Sequence, residues 1–524
     1  YNFNSVYKKD WQLSIFFAIW GINEISIGMR YDVCIIGAGP AGYAAAVRAL
    51  DLNKSVILIE KEKIGGAGLY NGAISSKTFW ELSKDIQTAR KRLAQYSPDQ
   101  HFSVTYQQVL AQVRGGIANR RFHLEGQIES LVQQEARHFR FLKGTAKLVG
   151  QHAVEIATGT EREVIEVENI VIATGSSPRK IPNIPIDEKI IVTSDGIENF
   201  ENFPKSLVIL GAGVIGCEWA TIFSNFGYTS VNIIDKAERI LSFEDDDVTD
   251  VVEANMRKQG ITVHKKSNLL SMKIVDGEVE YIIEYTDGRK EMHRVEKVLV
   301  SVGRFPNTKN LGLEDVGITI LPNGNIDNTD GQTTVPNIYV AGDISSDIAL
   351  VNVAELEGRH VIEKMFGIVS HPITYNNVST IMFVQPEVAG VGMNEKRALR
   401  DKISYKVVKI RYDMIPRAIA MRNNDGFFKI LVTNDAEMKI LGMRAVGVHA
   451  SSAIQAVALL ISMDKGVEEL ADMIHPHPSI IEGIQECIRM LLGTSVLKPQ
   501  FFKGMLTCKS CDENGCTNDI VYLK

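Results

Sequence analysis

The chain is 524 residues long, 45% hydrophobic and 23% charged, a balance that predicts a soluble protein of about three to four domains with ordinary cores. A formal net charge of −6 supplies no attractive field for phosphate backbones, so nucleic acid is not expected as a partner. Six cysteines, three isolated (Cys34, Cys217, Cys487) and three crowded near the C-terminus (Cys508, Cys511, Cys516), do not make a secreted disulfide framework.

Trp11 to Ile22 is apolar apart from Gln12 and Ser14, but this run falls short of the roughly 20 residues a membrane-spanning helix needs. No span is expected. Met29 stands just before the first predicted strand and sets residues 1–28 apart as an extension. It reads as a targeting segment, a membrane-surface segment or a functionless extension, and the lack of arginine before Arg30 speaks against a transit peptide. The expected location is cytoplasmic, or an organelle matrix if the extension is a targeting segment.

Tyr31 to Ile36 reads as a buried strand, followed at once by Gly37-Ala38-Gly39-Pro40-Ala41-Gly42 and a small-residue helix, Tyr43 to Leu50. This is a dinucleotide fingerprint in its proper context. Gly37 permits the tight turn, Gly39 lets backbone approach a pyrophosphate, and Gly42 lets helix and strand pack closely with the helix N-terminus facing the phosphates. Glu60 closes the next strand, where a ribose-binding acid belongs. A glycine-rich segment, Gly65-Gly66-Ala67-Gly68-Leu69-Tyr70-Asn71-Gly72-Ala73-Ile74-Ser75-Ser76-Lys77, comes next, and then a long polar helical stretch from Gln107 to Arg137.

Strand Ser206 to Leu210, Gly211-Ala212-Gly213-Val214-Ile215-Gly216, a helix through Phe226 and strand Val231 to Asp235 repeat the whole arrangement. Two nucleotide sites are therefore expected. Asp235 would accept bonds from the 2′-OH of NAD and repel the 2′-phosphate of NADP, so NAD is favoured. Lys236 and Arg239 leave NADP open. Glu244-Asp245-Asp246-Asp247 precedes a helix expected over 251–259 and reads as N-terminal capping and dipole complement, with no partner site.

Several segments together resemble one family. Ile172 to Pro178 and Val302 to Thr308 are similar to the crossings between flavin and nicotinamide domains in the class I pyridine nucleotide-disulfide oxidoreductases, the flavoprotein disulfide reductases. Thr334 to Asp343 is similar to their second flavin signature, Tyr375 to Gly392 to the start of their dimerisation domain, and His477-Pro478-Ser479-Ile480-Ile481-Glu482 to their catalytic His-Pro-Thr-x-x-Glu. Within this family, the chain resembles the dihydrolipoamide dehydrogenase and soluble transhydrogenase branches. The resemblance covers residues 30 to about 495.

It implies an α/β chain with two Rossmann-like domains and a C-terminal α+β dimerisation domain. The implied boundaries are an FAD domain over 29–178 and 304–372, an NAD domain over 179–303, an interface domain over 373–495 and a cysteine-containing tail over 496–524. FAD falls on Gly37, Gly39, Gly42, Glu60, Lys77, Ala146 and Asp343, and NAD on Gly211, Gly213, Gly216, Asp235 and Gly303. Glu218 corresponds to an acid near both rings, or else is an acid favoured by the dipole of its helix. A homodimer is implied too, because the family's histidine serves the partner subunit.

In the glycine-rich segment the family runs Gly-Gly-Thr-Cys-Leu-Asn-Val-Gly-Cys-Ile-Pro-Ser-Lys, so its two redox cysteines fall on Gly68 and Ala73. Neither can form a thiolate, and the alcohols of Ser75 and Ser76 have no equivalent redox couple. The expected activity is therefore an FAD-dependent NAD(P)H oxidoreductase that hands electrons from flavin to a quinone, a dye, oxygen or a second nicotinamide. Two alternatives stand beside it. One is dihydrolipoyl dehydrogenase activity with Cys508, Cys511 and Cys516 as the relay; the other is a non-catalytic subunit holding FAD structurally. The tail cysteines read first as a solvated tail, next as a redox pair and last as a metal site, since three thiols without a fourth ligand make a poor zinc site, and no metal site is assigned. His477 with Glu482 forms either a proton-handling pair or a satisfied interface histidine, and His475 reads as a loop residue.

Overall fold

The computed structural model of the chain describes residues 30–345, 348–471 and 473–520. The N-terminal extension, with its apolar run, lies outside the described residues. Among them, no helix is long and apolar enough to cross a membrane.

The chain is a mixed α/β protein built on three main sheets. Tyr31–Ile36 lies at the centre of the first, hydrogen-bonded in parallel to Val56–Glu60 on one side and to Glu161–Ile172 on the other. Phe139–Lys143 and Ile338–Val340 extend it outward. Every residue of Val56–Glu60 is buried, as expected for a parallel strand covered on both faces. Helix Pro40–Asp51 covers one face, with Pro40 in its first turn, where a missing N–H costs nothing.

The second sheet repeats the plan with Thr262–His264, Ser230–Ile234, Ser206–Leu210, Lys297–Val300 and Ile191–Thr193, all parallel. Three antiparallel strands, Ser267–Val275, Glu278–Tyr285 and Lys290–Val295, follow within this unit. Helix Val214–Phe226 is buried on nearly every side, because it is held between its own sheet and helix Ala73–Tyr96 of the first unit, where Phe79 meets Trp219 edge-on at 5.3 Å. The two crossing segments pair with each other, Ser176–Pro178 against Arg304–Pro306. The long polar stretch is helical over Tyr106–Gln134 and begins with a reciprocal Thr105 and Gln108 capping box.

The C-terminal sheet departs from expectation. Its seven strands run Ser379–Met382, Val388–Gly392, Ile440–Val446, Phe427–Thr433, Tyr405–Arg411, Leu506–Asp512 and Gly515–Asn518. The residues expected as a separate tail therefore continue this sheet, with Val408 opposite Cys508 and Tyr405 opposite Cys511. Cys511 is bonded to Cys516 across the terminal hairpin. Cys508 is 5% exposed, and burial, with Asp519 beside it, pushes its thiol up to about 12. Leu506–Asp512 thus belongs to the sheet, while residues 512–519 remain exposed, and the Cys511–Cys516 bond leaves Cys508 as the one free thiol among these three.

The acidic run also does more than cap. The helix begins at Asp246, earlier than expected, with Asp246 and Asp247 in its first turn. Lys429, 1% exposed, sets its ammonium 2.7 Å from carboxylate oxygens of Asp245, Asp247 and Glu395. Buried Arg444 holds Glu244 at 2.8 Å. These pairs tie the second unit to the C-terminal sheet. Burial works against the Lys429 charge, but the three carboxylates outweigh it and raise its pKa above the ordinary 10.5. Burial likewise opposes the Asp247 charge, yet Lys429 and Lys409 carry its pKa below the ordinary 3.8. The contribution of the Lys429–Asp247 pair is thus fully present above pH 3.8 and below pH 10.5; it weakens as pH falls through the depressed Asp247 value or rises through the raised Lys429 value.

Lys429→Met leaves buried carboxylates uncompensated, and the expected loss is about 3–5 kcal/mol. The measurement is the urea-unfolding midpoint at neutral pH, where a change below about 1 kcal/mol would show that the cluster contributes nothing net.

Candidate active site at two nucleotide cradles

Each fingerprint builds a cradle from backbone. In the first, Gly37 turns at φ +105°, and a Cβ at Gly42 would lie 1.8 Å from the Gly37 carbonyl oxygen, so no side chain fits at the third glycine. Gly39 has nothing within 4 Å of its would-be Cβ, which leaves its backbone open to a close ligand. Glu60, 9% exposed, accepts the Ala38 N–H at 2.8 Å through Oε2 and the Glu62 N–H at 2.7 Å through Oε1. It pins the loop and keeps lone pairs free for hydroxyls. Ala146 is buried in strand Thr145–Gly150, two residues beyond Gly144, whose N–H donates to the Glu60 carbonyl at 2.9 Å.

Asp343 closes the other end of this unit. Its Oδ2 accepts the Ser176 hydroxyl at 2.6 Å, and Arg304 Nε donates to the same hydroxyl at 2.8 Å. One position earlier, the Gly342 N–H donates to buried Glu357 at 2.7 Å, and Tyr375 holds the other Glu357 oxygen at 2.8 Å. Sequence reading missed Glu357, since it touches the signature only through backbone.

The second cradle is equivalent. A Cβ at Gly216 would lie 2.0 Å from the Gly211 carbonyl oxygen, while Gly213 and Gly303 have open space beside them. Asp235 accepts the Ala212 N–H at 2.6 Å and the Ala237 N–H at 2.7 Å, in the same way as Glu60. Arg239 is committed to Asp246 and Asp250, which engages one of the two cations that a 2′-phosphate could use. The chemistry of both donor sets fits a dinucleotide: open glycine backbone, a helix N-terminus and a terminal acid in each.

Lys77 of the first unit meets Glu218 of the second. The ammonium lies 2.8 Å from Glu218 Oε2, and Glu218, 5% exposed, also accepts the Phe383 N–H at 3.0 Å. The Phe383 ring stands 4.8 Å from the same ammonium. Phe383 is a second residue that sequence reading missed. His477 pairs through Nδ1 with Glu482 Oε1 at 2.6 Å, and the other Glu482 oxygen accepts the Ser479 N–H at 2.7 Å. Burial raises the Glu482 pKa, but the Ser479 N–H and His477 bring it below its ordinary value. The His477 side chain is 70% exposed, and among the described residues no hydrogen bond joins it to either cradle.

Gly68 lies in the short helix Gly66–Leu69, and Ala73 opens helix Ala73–Tyr96. A Cβ at Gly68 would sit 2.9 Å from Pro40 Cγ and 3.3 Å from Val351 Cγ2. Both residues line a cavity of about 910 Å3 that Tyr43, Arg120, Leu356 and Arg359 also border. The neighbouring hydroxyls are committed, Ser75 to Glu198 at 2.8 Å and Ser76 to the Gly72 carbonyl at 2.5 Å.

Residues 31–358 match the family described as pyridine nucleotide-disulphide oxidoreductase, and residues 378–488 match its dimerisation domain. The chain belongs to this family. It is 33% identical over 476 residues to a dihydrolipoyl dehydrogenase of Bacillus subtilis (strain 168), covering 89% of this chain and 99% of that one. It is 32% identical over 469 residues to the dihydrolipoyl dehydrogenase of Geobacillus stearothermophilus, covering 89% and 97%. The crystal structure of LpdA from Mycobacterium tuberculosis superimposes with a TM-score of 0.80 at 26% identity, covering 88% of this chain and 99% of that chain. The protein is accordingly an FAD- and NAD(H)-dependent oxidoreductase.

Gly68→Ala forces the Pro40 ring or Val351 to move, and the expected cost is about 1–3 kcal/mol. A thermal midpoint equal to that of the unaltered chain would show that the packing at Gly68 is loose.

Proposed function

We propose that this chain oxidises NADH and delivers the electrons to an acceptor without a disulfide relay, the acceptor being a quinone, a dye, oxygen or a second nicotinamide. One observation carries this reading: residues 68 and 73 are Gly and Ala, and they border the 910 Å3 cavity where the family's redox sulfurs would stand. FAD, when bound, supplies two-electron redox chemistry and stores the electrons between half-reactions. Glu60, Asp343 and the first glycine cradle hold it, while Asp235 accepts ribose hydroxyls of NADH at the second. The Lys77–Glu218 pair orients the two units that carry these sites. Glu482 fixes the Nδ1 proton of His477 and leaves Nε2 to give or take a proton, in a homodimer that the matched dimerisation domain supports.

The reading in which the tail cysteines act as relay meets a physical objection. Cys508 is a buried thiol that stays protonated at neutral pH, whereas relay chemistry needs a thiolate; Cys511 and Cys516 form a disulfide in the terminal hairpin, which among the described residues no hydrogen bond joins to either glycine cradle. A structural FAD subunit is distinguished by its flavin, which NADH would fail to reduce.

Anaerobic titration of the FAD-loaded protein with NADH is expected to bleach the visible flavin band with no thiolate-to-flavin charge-transfer absorption. Appearance of that absorption would overturn the relay-free reading, and an unbleached flavin would favour the structural subunit. Asp235→Asn is expected to raise the KM for NADH by about 10- to 100-fold, the range for a hydrogen bond to a charged group; an unchanged KM would remove Asp235 from the nucleotide site.

A further inference from the structure

In the antiparallel strands of the second unit, Glu291 and His293 stand two residues apart and so share one face of Lys290–Val295. His293 is opposite Tyr281 in the register, and the two rings stack at 5.2 Å with an interplanar angle of 19°. The end of strand Thr262–His264 brings in a third side chain, with the His264 ring 5.3 Å from that of His293. One donor atom from each of His264, Glu291 and His293 lies within 4.8 Å of the other two, and all three residues are half-buried.

The surrounding hydrogen bonds aim these atoms. The Tyr285 hydroxyl donates to Glu291 Oε2 at 3.0 Å and lies 2.6 Å from His264 Nδ1. A phenol has a single proton, so His264 must donate through Nδ1, and its Nε2 keeps a lone pair. His293 Nε2 reaches the same Glu291 oxygen at 3.1 Å. Arg289 pairs with the opposite oxygen, Oε1, and thereby turns Oε2 toward the imidazoles.

We propose that His264, Glu291 and His293 form a binding site for a divalent transition-metal ion of the Zn2+ and Cu2+ class. Two imidazoles with one carboxylate match the preferences of these borderline ions, whereas Mg2+ and Ca2+ call for oxygen ligands throughout. Bond lengths of about 2.0–2.2 Å require the three side chains to close inward by roughly an ångström. Tyr285 supports the set from behind, as an outer-shell partner that orients both His264 and Glu291. The site owes nothing to the cofactor cradles, although the Asp235 N–H donates to the His264 carbonyl at 3.0 Å and so joins the two regions by one peptide hydrogen bond.

The test uses the FAD-loaded full chain, stripped with a chelator and then dialysed against Zn2+. One equivalent per chain is expected by elemental analysis, falling at least about ten-fold in His264→Gln and in His293→Gln and persisting in His477→Gln. Cu2+ bound to the unaltered chain should give an electron paramagnetic resonance spectrum with coupling to two nitrogens, and to one in His264→Gln. Equal thermal midpoints and flavin content would show that the variants are folded. If either fails to fold, the two-nitrogen spectrum of the unaltered chain still decides the matter. No bound equivalent, occupancy in the two ligand variants equal to that of the unaltered chain, or a spectrum without nitrogen coupling would overturn the proposal.

Discussion

A charged hydrogen bond, Lys77 Nζ to Glu218 at 2.8 Å, joins the two units that carry the glycine cradles. Glu218 is almost wholly buried, and a buried carboxylate without a partner is strongly unfavourable. Its partners come from the other two parts of the chain, Lys77 from the first unit and the Phe383 N–H from the C-terminal domain. The carboxylate is satisfied only when all three parts are in place. A chain of neutral amides repeats this logic nearby: Gln87 to Asn225 at 2.5 Å, Gln259 to Gln385 at 2.9 Å, and Gln385 back to Gln87 at 3.2 Å. Electron transfer between two bound nucleotides depends on their mutual positioning, and these bonds hold the protein surfaces that would set it.

The Lys429 cluster secures the same assembly from the other side by a different means. Lys77 is about one-third exposed, so its charge remains partly hydrated; Lys429 is 1% exposed and relies on three carboxylates. Removing either partner of such a buried set is far costlier than its net stabilisation. The arrangement therefore specifies geometry more than it adds stability, and it ties the second unit to the C-terminal sheet.

The strands Tyr31–Ile36 and Ser206–Leu210 were legible to the residue because strand, glycine turn, helix and terminal acid all fall within about thirty residues, the span of one βαβ unit. Glu60 and Asp235 were legible for the same reason. Features set by distant pairing were not. Asp247 reads as a helix-capping residue until Lys429, 182 positions away, is seen to face it. Leu506–Asp512 has little strand signal by itself and becomes a strand by pairing with Tyr405–Arg411. Glu357 and Phe383 act on the site through backbone N–H groups or ring faces, which leave no pattern in the spacing of residue types.

Gly68 and Ala73 bear on the mechanics of their turn as well as on its chemistry. In the family a disulfide would staple the short helix holding Gly68 to the start of the long helix at Ala73. Here that turn is held without a covalent link. The Ser76 hydroxyl and N–H both reach the Gly72 carbonyl, at 2.5 Å and 3.3 Å, and the Tyr70 N–H closes on the Gly66 carbonyl at 3.1 Å. Pro40 and Val351 stand against the Gly68 backbone where a side chain would otherwise project. The turn is thus fixed by backbone bonds and close packing. A dithiol–disulfide cycle breaks and remakes a bond on every turnover; with Gly68 and Ala73 at these positions no such bond can form at this turn, and its geometry rests on non-covalent contacts alone.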